Sequence, residues 1–277
     1  MSRFTDKVVI VTGSSAGIGK AAILGFAKEG ASVVLHGTNT ERLAETEKAL
    51  HDAGIPESRI LKVQGYLNED ATHDKIINET IARFGKIDVL VNNAGLYKMP
   101  GTAKSATENF DHVFAVNVRA VFRLVELATP HLEKTRGNIV NVSSVTSFAK
   151  FMEGQLELTV YSMTKAAIDR FTKNISQSLA KKGIRINAIN PGPFETNVIK
   201  RSSADEKSDK AVKTSDAMFN IFERLTPAGR MGHPYELIPV VLLLADEKSS
   251  FITGATWAGM RRGHVPGDPR GDSPGSP

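Results

Sequence analysis

The 277-residue chain contains no cysteine and only one tryptophan. Without cysteine it can form neither a disulfide nor a thiolate metal site, so a reducing compartment is permitted and we predict no metal site. No apolar run reaches the roughly 20 residues of a membrane-spanning helix. Basic and acidic residues alternate, and the net charge of +5 is not gathered into one stripe. We therefore expect neither a membrane nor a nucleic acid as a partner.

The composition is that of one globular domain. Hydrophobic residues make up 41% and charged residues 23% of the chain, both near the averages of globular proteins. The N-terminal stretch MSRFTDKVVIVTG runs directly into an apolar strand without a signal-peptide pattern, so we expect a cytoplasmic protein. Residues 263–277 hold eight glycines and prolines, which predicts a domain over 1–258 and a disordered tail over 259–277.

Short apolar runs alternate with longer amphipathic stretches, as in strands followed by helices. Six buried strands in this rhythm predict an α/β fold with a doubly wound parallel sheet in a single domain. The predicted strands cover 7–11, 32–37, 59–65, 87–93, 137–144 and 184–192, and the predicted helices cover 18–29, 41–53, 71–84, 107–129 and 160–182. Thr38 to Glu41 fits a capping box. The glycines predicted to end helices are Gly30, Gly54, Gly85 and Gly183.

One segment interrupts this alternation. Residues 193–230 are too polar in the middle for a core and too long for a plain connection. We predict that they form a mobile lid over a substrate.

A glycine-rich turn, VTGSSAGIG, lies between the first predicted strand and the first predicted helix. Gly13, Gly17 and Gly19 would let the backbone approach a pyrophosphate, and the start of the helix would supply unpaired N–H groups. The alternative is a tight strand-to-helix turn with no ligand. The flanking strand and helix, and the position at the start of the chain, favour nucleotide binding.

Tyr161 and Lys165 are four residues apart in a predicted helix, so their side chains share one face. An ammonium near a phenol favours the phenolate and can tune it as a proton donor or acceptor. The alternative, a core tyrosine beside a surface lysine, stays open when this pair is read alone.

The spacing of the glycine turn resembles that of the classical short-chain dehydrogenases/reductases. Further ordered matches are NNAG at 92–95, Asn117, VNVSS at 140–144, YSMTK at 161–165, NPGPFET at 190–196 and a stretch over 229–254. The resemblance covers roughly residues 6–254 and implies a Rossmann-like fold, a nicotinamide cofactor and hydride transfer between a secondary alcohol and a ketone.

The resemblance also implies roles for four catalytic residues. Tyr161 would be the general acid/base, and Lys165 would lower the pKa of Tyr161 and hold the ribose hydroxyls. Ser144 would polarise the substrate oxygen, with Ser143 as the alternative. Asn117 would hold a water of a proton relay, unless it merely points outward from its helix. The implied cofactor residues are Gly13, Ser14, Ser15, Gly17, Ile18, Gly19, Thr38, Asn39, Asn93, Ala94, Gly95, Tyr161, Lys165, Pro191, Gly192 and Thr196.

The end of the second strand bears on the choice between NAD and NADP. A carboxylate there binds a ribose 2′-hydroxyl and repels a 2′-phosphate, and Gly37 stands in its place. We therefore expect NADP as the preferred cofactor, with NAD possible, although Ala16 and Thr38 replace basic residues that many NADP-dependent relatives use. Thr38, Asn39 and Arg42 are the residues that could bind a phosphate.

Three features depart from the family pattern. Tyr66 replaces an aspartate that contacts the adenine, where it could stack on the ring instead. The interval from Ser144 to Tyr161 is about four residues longer than in many relatives. After residue 254 no VDGG-like end follows, so we expect the last strand to be weak or lost beyond Trp257, which favours a homodimer over a tetramer.

The sequence therefore predicts an oxidoreductase that acts on a small-molecule carbonyl or alcohol. Apolar residues in the predicted lid favour a lipid-like substrate. The rival function is that of a catalytically weak protein that binds or senses the nicotinamide cofactor without turnover.

Overall fold

The computed structural model describes residues 2–101, 104–149, 156–196, 226 and 228–259. Its centre is a seven-stranded parallel sheet in the order β3-β2-β1-β4-β5-β6-β7. The strands are β1 (Val8–Val11), β2 (Ser32–Gly37), β3 (Ile60–Gln64), β4 (Val89–Asn92), β5 (Asn138–Val142), β6 (Arg185–Pro191) and β7 (Thr256–Gly259). The predicted α/β fold with a doubly wound parallel sheet is confirmed.

Helices cover both faces of the sheet. They are α1 (Gly17–Lys28), α2 (Thr40–Asp52), α3 (Asp70–Phe84), α4 (Ala106–Phe114), α5 (Ala120–Thr135), α6 (Leu156–Ala180) and α7 (Ile238–Ala245). One buried cluster joins α1, α2 and α7 to the sheet, and a second joins α3, α5 and α6 to the opposite face. Alternate residues of β1 serve the two clusters, since Val9 belongs to the first and Ile10 to the second. None of the described helices is long and apolar enough to cross a membrane.

Two local predictions need correction. The helix predicted over 107–129 is divided by a π-helical turn, Ala115–Arg119, into α4 and α5. The cap of α2 is Asn39 rather than Thr38, because the Asn39 side chain accepts a hydrogen bond from the backbone N–H of Arg42 at 2.8 Å. Asparagine and threonine are both good caps, so composition alone does not choose between adjacent positions.

The expectation that the last strand is weak or lost is wrong. Thr256 to Gly259 pair in parallel with residues 188–191 of β6. Side chains of β6 hold the chain that leads into this strand: Asn187 Nδ2 donates to the carbonyl of Ile252 at 2.9 Å, and Asn187 Oδ1 accepts from the N–H of Ala255 at 3.1 Å. Anchoring by the neighbouring strand thus replaces the missing family end motif.

Arg185, at the start of β6, extends this anchoring. Its guanidinium donates to the carbonyls of Leu244, Ile252 and Asp246 at 2.9, 3.1 and 2.8 Å. It thereby joins β6 to the end of α7 and to the loop before β7.

Most of the predicted lid falls on 197–225 and 227, and the predicted tail falls largely on 260–277. These residues lie outside the described part of the chain. The boundaries of the lid, the domain and the tail therefore stay predictions.

Replacing Arg185 with alanine should lower the free energy of unfolding by about 3 kcal/mol, because three partly buried carbonyls lose a charged donor. Urea denaturation followed by circular dichroism measures this loss. Arg83→Ala is the matched control, since its guanidinium contacts two carbonyls at the exposed surface and its loss should stay below about 0.5 kcal/mol. Equal stability of the two variants would contradict the anchoring role of Arg185.

Candidate active site

The carboxyl ends of the parallel strands line a cavity of about 560 Å³. The strand order reverses between β1 and β4, and open α/β sheets bind ligands in the crevice at such a point. The predicted site residues that line it are Gly13, Ser15, Gly17, Ile18, Gly19, Thr38, Asn39, Asn93, Ala94, Gly95, Ser144, Tyr161, Lys165, Pro191, Gly192 and Thr196. The volume is that of a site for a small molecule.

Ser14 differs in position from the other predicted cofactor residues. It is fully buried and does not line the cavity. Its hydroxyl accepts from the backbone N–H of His36 at 3.0 Å, and its own N–H donates to the His36 carbonyl at 2.8 Å. Ser14 therefore continues the pairing of β1 with β2 and supports the turn from behind.

The glycine turn packs against the end of β4 with no room for side chains. A Cβ on Gly13 would lie 2.8 Å from the Cα of Ala94, and a Cβ on Gly19 would lie 2.4 Å from both Asn93 Nδ2 and the Gly13 carbonyl. Gly13 also has a φ of +64°, which favours glycine. The glycines thus bring two backbone segments together at the floor of the cavity.

Asn93 holds this contact in place. Its amide nitrogen donates to the carbonyls of Thr12 and Gly13 at 2.9 and 3.1 Å. In return, the Thr12 hydroxyl accepts from the N–H groups of Asn93 and Ala94, both at 3.1 Å. The Asn93 amide nitrogen therefore shapes the turn.

The start of α1 faces the cavity with N–H groups that no side chain caps. The N-cap residue is Ala16, and the first turn contains no acidic residue. Unpaired N–H groups and the helix dipole favour an anion at this point. Thr196 closes the cavity on this side, because its methyl group lies 3.2 Å from the position of a Cβ on Gly17.

His36 is a residue of this site that the sequence motifs do not reveal. Its Nδ1 accepts from the N–H of Gly13 at 3.2 Å. Burial lowers the pKa of His36 to about 4, so the ring is neutral at neutral pH and can accept this bond. The only feature of the sequence that could have indicated His36 was its position at the end of β2, because that strand ends next to the glycine turn.

The end of β2 forms a wall of the cavity without a carboxylate. None of the described residues that line the cavity is aspartate or glutamate, but the lining residues include the basic residue Arg42. A Cβ on Gly37 would lie 2.7 Å from Ser15 Oγ, so the serine hydroxyl occupies the space of a side chain there. Tyr66 lines the same end and is 58% exposed.

Tyr161 and Lys165 lie on one face of α6, as their spacing predicts. The ammonium of Lys165 is 5.5 Å from the centre of the Tyr161 ring. Burial raises the pKa of Tyr161 to about 12, and a hydrogen bond with the Ser144 side chain opposes the rise. The phenol is therefore protonated at neutral pH, because burial outweighs the groups that would lower its pKa.

Lys165 is buried, which excludes the alternative of a surface lysine. Its Nζ donates to the carbonyl of Val142, at the end of β5, at 2.7 Å. Burial lowers the pKa of Lys165 to about 8, and the charge of Asp169 opposes this shift. At pH 7 the side chain of Lys165 is therefore still an ammonium in most molecules.

The two adjacent serines after β5 differ in their surroundings. The hydroxyl of Ser143 donates to the main-chain carbonyl of Lys165 at 3.0 Å. The oxygen of Ser144 accepts from the N–H of Thr146 at 3.2 Å and forms the hydrogen bond with Tyr161. Ser144 can therefore direct its proton toward Tyr161 or a ligand, whereas that of Ser143 is used by the backbone.

Asn117 is buried beneath the cavity, so the alternative of an outward-pointing residue is wrong. Its side chain accepts from the N–H of Leu96 at 2.8 Å and donates to the Leu96 carbonyl at 2.9 Å and to Thr164 Oγ1 at 3.0 Å. A Cβ on Gly95 would lie 3.3 Å from Lys165 Nζ and 3.4 Å from Asn117 Oδ1. Gly95 thus allows the lysine and the asparagine to approach one point.

The other end of the cavity carries residues that the motifs did not identify. The Tyr97 ring lies 6.1 Å from the Tyr161 ring, and His112 of α4 also lines this end. Burial lowers the pKa of His112, which favours the neutral ring. Tyr97 follows the NNAG motif by two residues, which was the only sequence signal for it.

Comparisons with known proteins agree with this geometry. A family model described as short chain dehydrogenase matches residues 7–207. The 3-oxoacyl-[acyl-carrier-protein] reductase FabG of Thermotoga maritima is 35% identical over 256 residues, which are 91% of this chain and 95% of that protein. The L-fucose dehydrogenase of Mus musculus is 33% identical over 258 residues, which are 92% of this chain and 87% of that protein.

A solved structure is similar over nearly the whole chain. It is a short-chain dehydrogenase/reductase of unknown function from Caenorhabditis elegans, solved with its cofactor. The TM-score is 0.82 at 35% identity, and the match covers 93% of this chain and 95% of that one.

Gly19→Ala should abolish cofactor binding, because the new methyl group would force Asn93 and the Gly13 carbonyl apart and open the turn. We expect the affinity for NADPH, measured by fluorescence titration, to fall by at least about 100-fold. Gly25→Ala on the same helix is the control, since its methyl group would meet the Ile238 side chain and not the turn. If both variants fold and bind NADPH as the wild type does, the close contact is not required.

Proposed function

The chain belongs to the short-chain dehydrogenase/reductase family of NAD(P)-dependent oxidoreductases, and we propose that it interconverts a secondary alcohol and a ketone with Tyr161 as the general acid/base. The observation that carries this proposal is the arrangement at the cavity wall. Tyr161 and Ser144 are hydrogen-bonded there, beside the buried ammonium of Lys165. The physiological direction that we propose is reduction.

Tyr161 would deliver the proton in that direction. A phenol with a raised pKa is protonated at neutral pH, which is the form that must donate to a carbonyl oxygen. The substrate oxygen would lie within hydrogen-bond reach of both the phenol and the Ser144 hydroxyl. Ser144 would polarise the carbonyl by donating to the oxygen on which negative charge develops.

Lys165 would favour the phenolate left after proton transfer, because an ammonium beside the ring stabilises negative charge. The nicotinamide supplies the hydride when it is bound. Asn93, Ala94 and Gly95, the glycine turn, and Pro191, Gly192 and Thr196 would hold the cofactor. Asn117 remains a proposed member of a proton relay, supported by the approach of both Asn117 Oδ1 and Lys165 Nζ to Gly95.

We propose NADP as the preferred cofactor, with NAD as a weaker one. The support is the lack of a carboxylate among the described residues of the cavity wall and the presence there of Thr38, Asn39 and Arg42. Two hydrogen-bonding side chains and one guanidinium suit a 2′-phosphate.

The substrate is a small-molecule carbonyl or alcohol whose identity the relatives do not narrow. One relative is named as a 3-oxoacyl-[acyl-carrier-protein] reductase and another as an L-fucose dehydrogenase. Leu158, Phe194 and Met231 give the cavity apolar lining, which supports a lipid-like molecule. The predicted lid, whose apolar residues favour the same class, lies largely outside the described residues.

We also propose a cytoplasmic homodimer that associates through α4, α5 and α6. Phe122 on α5 is 56% exposed and packs against Phe171 of α6, so an apolar surface is present on these helices. The described β7 removes the reason given above for preferring a dimer to a tetramer.

Tyr161→Phe should lower kcat for ketone reduction by about 1,000-fold, because it removes the proton donor and keeps the ring. A panel of ketones, followed by NADPH oxidation, measures this loss. The affinity for NADPH should stay within about threefold. Tyr235→Phe, at an exposed tyrosine, is the control and should leave kcat unchanged. NADPH binding without turnover of any ketone would favour the sensing function instead.

Arg42→Ala should weaken NADPH binding about tenfold and leave NADH binding unchanged, since one charged hydrogen bond to the 2′-phosphate is lost. Parallel fluorescence titrations with both cofactors measure the difference. Lys48→Ala is the matched control, because Lys48 lies near the far end of α2 and pairs with Asp52. Equal or tighter binding of NADH by the wild type would contradict the NADP preference.

A further inference from the structure

A polar cluster lies directly behind the loop that carries Ser144. Ser147 donates its hydroxyl proton to Asp169 Oδ2 at 2.5 Å. The amide nitrogen of Asn190 lies 2.7 Å from the same carboxylate oxygen, 3.0 Å from Ser147 Oγ and 3.2 Å from the Ser144 carbonyl. The three side chains thus connect α6, the end of β6 and the loop after β5.

The bonds within this cluster converge on one carboxylate. Asn190 is fully buried and has two N–H hydrogens for three acceptors. Asp169 Oδ1 and Asn190 Oδ1 are buried without a hydrogen-bond partner among the described residues. Such groups are rare in proteins and are costly for stability alone. The cluster is therefore better explained by what it positions than by the stability it adds.

The same carboxylate also acts on Lys165. Asp169 follows Lys165 by four residues on α6, so the two side chains share a helix face. Two ionisable groups face Lys165 from its own helix, α6. They are Tyr161 and Asp169. The groups that face it from the segment after β4, from β5 and from the π-helical turn are neutral: Gly95, the Val142 carbonyl and Asn117.

We propose that Asp169 is a positioning residue for the reaction proposed above, on which this inference rests. It holds the Ser144 loop against α6 through Ser147 and Asn190, and its negative charge keeps Lys165 in the ammonium form. One carboxylate thus sets both the position of the polariser and the charge beside the proton donor.

Two variants separate these roles. Asp169→Asn keeps the volume and one acceptor but removes the charge, whereas Ser147→Ala keeps the charge and removes the bond to the loop. We expect kcat for ketone reduction to fall roughly 10-fold to 100-fold in each variant, with KM for the ketone within about threefold.

The pH profile is the readout that a merely structural role would not change. The ammonium of Lys165 is present below pH 8 and is lost as the pH rises through its pKa of about 8. The negative charge of Asp169 raises the pKa of Lys165, so without this charge the ammonium is lost at lower pH. In Asp169→Asn the high-pH limb of kcat should therefore move down by about one pH unit. Ser147→Ala should leave that limb in place.

NADPH titrations between pH 6.5 and 9.5 carry the same test without turnover. Because Lys165 would hold the ribose, the loss of affinity at high pH should show the same downward shift in Asp169→Asn only. Asp52→Asn, at an exposed carboxylate near the end of α2, is the charge control and should match the wild type in kcat and in both pH profiles.

The outcomes separate this inference from the proposed function. A wild type that neither binds NADPH nor reduces any ketone would overturn both. If the wild type is active and Tyr161→Phe is not, while Asp169→Asn keeps the wild-type kcat and pH profiles, only the role of Asp169 is wrong. Loss of kcat in both variants with a pH shift in Asp169→Asn alone would support it.

Discussion

The site depends on one interaction, the hydrogen bond from the buried ammonium of Lys165 to the carbonyl of Val142. A buried charge is unfavourable unless polar partners surround it. Here the partners are a carbonyl at the end of β5, the ring of Tyr161 and the nearby charge of Asp169. A strand end, a helix face and a charge must therefore meet at one point, and the glycine at position 95 leaves the space for this.

Local patterns in the sequence predicted most of the fold, and most of the predicted site residues line the cavity. The periodicity of strands and helices predicted the sheet. The glycine turn and the spacing of Tyr161 and Lys165 predicted the two ends of the cavity. Each of these signals lies within a few consecutive residues. The spacing of the pair could not predict the protonation state of Tyr161, because burial raises its pKa more strongly than the hydrogen bond with Ser144 lowers it.

The remaining features depend on residues far apart in the chain. The last strand is held by Asn187 and Arg185 of β6, about 65 residues earlier. His36 at the end of β2 contacts Gly13 in the turn after the neighbouring strand β1. Because Ser14 pairs with His36, its side chain does not line the cavity. Such contacts exist only once the sheet has formed, so a motif cannot report them. The same holds for the cluster of Asp169, Ser147 and Asn190.

Helix α6 carries three ionisable groups one turn apart: Tyr161, Lys165 and Asp169. Because a helix is rigid over two turns, the phenol, the ammonium and the carboxylate keep their spacing. Other groups that line the cavity lie on other elements, such as the loop of Tyr97 and helix α4 with His112. Under the proposed function, the reacting groups and the groups that contact a substrate would lie on separate elements, so specificity could change without a change in the reaction. Such a separation would be compatible with the different names of two relatives that each share about a third of their residues with this chain, a 3-oxoacyl-[acyl-carrier-protein] reductase and an L-fucose dehydrogenase.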